Sequence, residues 1–202
     1  MRVIAAVIVI ALVLITGAVR ADQFDQIKKD IANADCCWFR FISILSSSVF
    51  ETKDSSRGTA LIARDGRYAI SLGNDSYISD GKYAYTYSPT SNQAIISRLD
   101  SGRVANKEIS FLTRLDQYYT TKCIKLDKRY HLMKKTGVDV QNIPDSMVIT
   151  VDAVRKQIAA IDYYDINDEQ VSVVLLEQNV TRGCNDSLFV PNFPDSAETV
   201  KL

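Results

Sequence analysis

Histidine is almost missing from this chain: His131 is the one copy in 202 residues. It stands between Tyr130 and Leu132 in a strand-like stretch and reads as a structural side chain. No second imidazole is present to build a proton relay around a Ser or Cys nucleophile. The motifs GxSxG, HExxH, GxxxxGKS/T and GxGxxG are absent. No two cysteines are separated by a two-residue gap, so a zinc-type ligand set is absent as well. The closest carboxylates, Asp162, Asp165, Asp168 and Glu169, flank a turn that lacks the Gly and terminal Glu of a calcium loop. Excess charge of one sign is also lacking, with 24 basic against 24 acidic residues, which removes the usual reason to expect nucleic acid as a partner. There is no Pro-rich linker, low-complexity tract or internal repeat. The chain is thus expected to have no catalytic residues, no metal, no cofactor and no enzymatic activity.

What is present starts at the first residue. Arg2 precedes an apolar run over 3–15, and small residues lead to Val19-Arg20-Ala21. That is the pattern of a signal peptide cleaved near Ala21, and the run is shorter than the roughly 20 residues of a comfortable membrane span. No Cys follows the run, so a lipid-attachment signal is missing. The expected domains are therefore 1–21, a signal peptide, and 22–202, one exported domain. The mature part carries 22 basic and 24 acidic residues, and 181 residues suffice for one substantial core. Cys36, Cys37, Cys123 and Cys184 make an even number in an exported chain, which favours disulfides. Adjacent Cys36 and Cys37 are poorly placed to bond each other. One is expected to pair with Cys123 and the other with Cys184, and both arrangements stay open.

The hydrophobic period then sets the fold class. Phe24, Ile27, Ile31 and Ala34 recur at helical spacing over 23–35, with Asp25, Lys28, Lys29 and Asp30 on the other face. After residue 38 the period falls to two. Strands are predicted over 38–49, 58–63, 67–72, 76–79, 82–88 and 93–99, with a polar turn at 52–57 and Asp-Gly hairpin signals at 65–66 and 80–81. A helix is predicted over 105–118 from Ile109, Leu112 and Leu115. Further strands are predicted over 120–126, 129–134, 147–152, 157–164, 171–178 and 188–190. Helices are too few for parallel crossovers, so the class is mainly β with a few helices (α+β), built on an antiparallel sheet. A long sheet of this kind, curled around amphipathic helices, makes an incomplete barrel with a lid.

Within 58–100 the features run in a particular order: Gly58 to Arg64, an aromatic strand, Ser79-Asp80-Gly81-Lys82, Tyr85-Thr86-Tyr87-Ser88-Pro89, then Asn92-Gln93. The tail reads Leu188-Phe189-Val190-Pro191-Asn192-Phe193-Pro194. This order resembles the periplasmic outer-membrane lipoprotein carrier family, LolA. Two features depart from it: Arg64 is followed by Asp65-Gly66 rather than Pro, and Tyr85 stands where the family has Trp. The resemblance implies a half-barrel closed by lid helices and a monomer in the periplasm. It implies a carrier that shields lipoprotein acyl chains in a hydrophobic cavity. The carrier takes them from an inner-membrane lipoprotein-releasing transporter to an outer-membrane acceptor. It also implies that Arg64 latches the lid. Candidate acyl-chain residues are Trp38, Phe41, Ile62, Tyr68, Ile70, Leu72, Tyr85, Tyr87 and Ile96. Trp38 and Phe41 have opposite parity, so at most one faces inward unless a bulge intervenes. Two other classes remain on the same residues: a lipid- or lipoprotein-sensing envelope module that carries nothing, and, more remotely, a secreted enzyme relying on His131 or the acids of 162–169.

Overall fold

The structure is a computed structural model describing residues 22–47, 51–99, 107–124, 128–138, 140 and 142–202. The signal peptide expected over 1–21 lies outside these residues. The chain opens with helix α1 (Gln23–Asn33), capped by Asp22, whose carboxylate accepts from the Phe24 amide at 3.3 Å. Its apolar stripe of Phe24, Ile27 and Ile31 is buried, as the spacing requires. Strands β1 (Cys36–Ser47) and β2 (Thr52–Ala63) form a long hairpin. A meander follows through β3 (Tyr68–Leu72), β4 (Asp75–Ser79), β5 (Tyr83–Ser88) and β6 (Gln93–Arg98). A 3-10 helix (Glu108–Arg114) runs into the single-turn helix α2 (Leu115–Tyr118). The second half of the sheet is β7 (Tyr119–Ile124), β8 (Arg129–Lys134), β9 (Ser146–Asp152), β10 (Gln157–Tyr164) and β11 (Gln170–Thr181). A second 3-10 helix (Asp186–Phe189) and β12 (Glu198–Lys201) end the chain.

All twelve strands belong to one curved sheet that does not close, in the order β12-β6-β5-β4-β3-β2-β1-β11-β10-β9-β8-β7. Neighbours are antiparallel except β12, which adds parallel to β6. This is the incomplete barrel that the sequence led us to expect. Register places one continuous set of side chains on the concave face. Phe39 and Phe41 of β1 pair with Ala60 and Gly58 of β2, Ala60 pairs with Ile70 of β3, and Leu45 pairs with Val171 of β11. Val173 continues to Ile161, then Ile149, then Tyr130 on β8. With α1 and the 108–118 segment these make one buried cluster.

The convex face has its own smaller cluster. Cys36 and Cys184 are disulfide-bonded with Cα atoms 5.5 Å apart, and Cys36, Ala63 and Phe189 are buried together. The Arg67 guanidinium stacks 4.8 Å from the Phe189 ring and bonds Asp186 at 2.9 Å and Asp65 at 2.8 Å. Further along, Phe193 packs on Tyr85 and Tyr87 at 6.2 and 5.4 Å. The tail thus binds the outside of the sheet from β1 to β6. The second bridge expected from the cysteine pairing is not formed by Cys37, whose thiol is free and fully buried beneath α1. Cys36 and Cys37 are neighbours on a strand, so they point to opposite faces. The side chain of Cys123 lies outside the described residues.

Four local differences from the sequence reading have physical causes. Residues 52–57, expected as a turn, extend β2 as a fully exposed strand, because backbone pairing with β1 needs no apolar side chain. The segment 108–114 is a 3-10 helix, and Ile109, Leu112 and Leu115 recur every three residues, the repeat that stacks in that geometry. The strand expected at 188–190 is instead a 3-10 turn, started by the Asn185 side chain accepting from the Ser187 amide at 3.1 Å. β12 was not predicted: its residues, with Val200 excepted, are polar and exposed, and only the edge of β6 recruits them.

Gly58 is fixed by packing. A Cβ there would lie 2.5 Å from the Phe41 ring and 2.7 Å from the Ser71 carbonyl. Gly58→Ala is expected to lower the unfolding free energy by about 1–3 kcal/mol, as overpacking does, read from urea denaturation. A change within error would show that the Phe41 ring repacks freely.

Candidate functional site

The concave face and its helical cover form the candidate site. β1 to β3 and β8 to β11 supply the floor through inward apolar residues such as Phe39, Ile62, Ile70, Leu132, Ile149 and Val173. The cover is α1, whose apolar stripe lies on that floor, with Ile109, Phe111, Leu112 and Leu115 beside it. The apolar side of the cover is buried and its contacts are non-directional. The polar contacts described for it lie at its margins, and they decide how it is held.

At the start of α1, the Tyr130 hydroxyl donates to the Asp22 carboxylate at 2.6 Å, and the Gln23 amide donates to the Ala153 carbonyl at 2.9 Å. The Phe24 and Tyr130 rings pack with centroids 4.5 Å apart. Along its flank, the buried Lys28 ammonium lies 2.6 Å from Asp116 of α2 and 3.1 Å from Asp25. Burial alone would pull the Lys28 pKa down. Hydrogen bonds donated to Asp116 and Asp25 overcome that, and the net direction is upward. At the end of α1, Arg64 donates through Nε to the Ala34 carbonyl at 3.3 Å and through a terminal nitrogen to the Asn33 carbonyl. Its guanidinium is 3.5 Å from Asp35. The last carbonyls of a helix lack internal partners and carry the negative end of its dipole, and α1 has no basic residue in its last turn. Arg64 supplies that missing cation from the β2–β3 turn.

The sequence-predicted residues divide between the two faces. Phe41, Ile62, Tyr68 and Ile70 are buried on the concave side, and Leu72 packs at its margin. Burial pushes the Tyr68 hydroxyl up to about 12. Trp38 is on the convex face, beside Arg155 and Leu176. Tyr85, Tyr87 and Ile96 are convex too. Ile70 pairs with Tyr77 and Tyr77 with Thr86, so the inward residue of β5 is Thr86. The aromatic stripe of β5 faces the tail on the convex side instead, where Tyr85 and Ile96 border a small pocket beside Leu202, and this corrects the expectation that it lines the concave cavity. Tyr85 donates to Asp80 at 2.9 Å rather than to any cover. The residues that sequence reasoning passed over are those of the second half: Leu132, Met147, Ile149, Ile161 and Val173. Their alternation was visible, but no motif singled them out.

The space under α1 is filled. Phe24, Ile27 and Ile31 are at most 2% exposed. The open groove expected between sheet and helix is therefore closed here by the cover itself. An open cavity of about 460 Å³ does exist at the far end of the barrel, bordered by Phe111, Ile143 and Tyr163. Among the described residues, no three His, Cys, Asp or Glu side chains are grouped to hold a metal. Of the acidic cluster, Asp165 accepts from the amides of Asn167 and Glu169 at 2.8 and 2.9 Å, and Asp162 accepts from Ser172. Those contacts stabilise the β10–β11 hairpin. Among the described residues, no helix is long and apolar enough to cross a membrane.

No family model and no curated protein matches the chain. Among solved structures it is similar to an uncharacterized conserved protein from Thermus thermophilus. That match has 9% identity, covers 89% of this chain and 97% of that one, and has a TM-score of 0.52. A LolA superfamily protein from Nitrosomonas europaea is similar at 11% identity over 83% of this chain and 97% of that one, with a TM-score of 0.44. A DUF1329 family protein from Desulfovibrio piger is similar at 10% identity over 83% of this chain and 95% of that one, with a TM-score of 0.45. At such identities the likeness is one of fold alone: one curved, open sheet with few helices.

The Cys37 thiol reports on this site. Burial pushes it up to about 12, from an ordinary 9.0. A pKa raised by folding contributes stability below the ordinary value and loses it as pH climbs towards the folded one. Tyr68 acts in the same direction over 10 to about 12. Stability is therefore expected to fall above pH 9, and Cys37→Ala should flatten the fall between about pH 9 and 10.5 in urea titrations. An unchanged slope would mean that the thiol meets solvent.

Proposed function

We propose that this protein is an exported carrier of acyl chains, which it shelters between the concave face and α1. Residues 1–21 direct export to the periplasm, where signal cleavage near Ala21 leaves the domain 22–202. The Cys36–Cys184 bridge fits such an oxidising compartment. The cargo is a lipoprotein, taken from an inner-membrane releasing transporter and passed to an outer-membrane acceptor, as the LolA resemblance implies. The protein works as a monomer.

One observation carries the reading: an amphipathic helix closes an apolar concavity and is held directionally by polar contacts at its margins. Magnitudes support exchange of helix for cargo. Exposing Phe24, Ile27 and Ile31 costs about 5–9 kcal/mol at roughly 1.5–3 kcal/mol each. Burying roughly 14 CH₂ groups returns about 11 kcal/mol at about 0.8 kcal/mol apiece. One acyl chain thus offsets displacement of the helix face. Arg64 is the latch in this scheme. It grips the end of α1 that is joined to β1 by Ala34 and Asp35, so it sets the angle at which the helix leaves the sheet. The guanidinium is half exposed, which keeps the grip weak enough to release.

Cys37 distinguishes opening from surface adhesion, because its thiol donates to the Ile31 carbonyl at 3.5 Å under the helix. In a Cys123→Ser background, fluorescent fatty acids should bind and raise the alkylation rate of Cys37. Ile70→Glu should abolish probe binding. Arg64→Ala should raise the basal alkylation rate about fivefold, the effect of losing roughly 1 kcal/mol of half-exposed charged hydrogen bonds. A folded mature chain that binds no acyl probe overturns the proposal.

A further inference from the structure

The open cavity at the far end of the barrel has a distinctive composition. Its floor belongs to the core: Phe111 and Ile143 are 1% and 6% exposed, and Tyr163 packs against the same cluster. Its lip is apolar and exposed, with Tyr164 at 63% and Ile166 at 89% on the tip of the β10–β11 hairpin. Its rim is acidic, carrying Asp145, Asp165 and Asp168. Among the described residues one cation borders it, Lys107, and that ammonium sits 4.3 Å over the Tyr77 ring of β4. Asp145 also meets Lys134 at 2.6 Å on its outer side. The cavity lies at the opposite end of the strands from Arg64. Tyr163 pairs with Val171 and Val171 with Leu45, whereas Arg64 follows Ala63, the partner of Cys36. From Cys36 to Leu45 is about 30 Å of strand.

We propose that this cavity receives the polar head of the acylated ligand and that the head it selects is cationic. The inference rests on the carrier reading, since it takes the chain to lie along the concave floor and to emerge over Phe111. Charge complementarity chooses the occupant. Three carboxylates border the opening against two ammonium groups, Lys107 over the Tyr77 ring and Lys134 paired with Asp145, so the balance stays negative, a positive head is attracted and a carboxylate or sulfate head is repelled. The low-polarity floor brings head and chain of one amphiphile into adjoining environments. The apolar hairpin tip with Ile166 then covers the first carbons below the head.

The test is competition against the neutral probe N-phenyl-1-naphthylamine on the mature chain. Competitors are dodecyltrimethylammonium and dodecyl sulfate, both below their micellar concentrations. The cationic amphiphile should displace the probe at about fivefold lower concentration at low salt, and the preference should shrink towards one at about 1 M salt. Asp145→Asn with Asp168→Asn should remove most of the preference while leaving probe binding intact. Asp168 has a φ of +59°, a conformation Asn also accepts, so the pair is chosen to keep the fold. Equal displacement by both amphiphiles, or a preference that the double variant keeps, overturns the inference and leaves the carrier reading standing. Failure of the probe itself to bind overturns both.

Discussion

The structure depends on the burial of one helix face against one sheet face. Neither surface is stable alone in water. α1 presents Phe24, Ile27 and Ile31 on a single stripe, and the sheet presents a largely apolar concavity from Tyr130 to Ile70. The twist and curl of twelve strands gather that surface into a trough, and a trough of hydrocarbon must be covered. The 108–118 segment covers part of it. Contacts between α1 and that segment, through Lys28 and Asp116, join the two covers into one.

The two faces of the sheet are fixed in different ways. On the convex side the tail is held covalently at Cys184, by Arg67 at Phe189 and Asp186, and by Phe193 against two tyrosines. It also adds β12 to the open edge at β6, which satisfies the backbone groups of that edge. On the concave side the covalent hold described for the cover is its own connection to β1. In the proposed carrier, the convex staple would keep the curvature while the concave cover is exchanged.

Much of this was legible in the sequence. The 3.6 period of 23–35 and the alternation at Tyr68, Ile70 and Leu72 are direct consequences of burial on one face, so helix and strands followed from them. The faces of β5 were not legible. Tyr83, Tyr85 and Tyr87 alternate as cleanly as any inward stripe, yet a convex stripe covered by a tail gives the same pattern. Only the pairing through Tyr77 and Thr86 decides between them. The exposed half of β2 and the strand β12 carry no hydrophobic signal, because their order comes from backbone pairing. Cys36 and Cys37 illustrate the gain from parity: strand geometry sends one to the disulfide and the other beneath α1. The choice of Cys184 needed the tail's path, which no local rule contains.

The position of Arg64 bears on how a cover of this kind moves. α1 is tied to β1 through Ala34 and Asp35, and its other end is tied to the sheet through Asp22 and Gln23. A helix released at its start swings about its end, so Arg64 lies at the pivot and not at the moving tip. A guanidinium bound to the last carbonyls resists rotation there with a short lever arm. The contacts at the tip, Tyr130 to Asp22 and Gln23 to Ala153, resist it with a long one. Lys28, buried between Asp25 and Asp116, stands between the two. In the proposed carrier, opening would begin with the single hydrogen bonds at the tip and proceed to the buried ammonium, which would regain water as it leaves its carboxylates. The arginine would be the last contact to turn, and on closing it would return the helix to the same angle, as a latch near a hinge does.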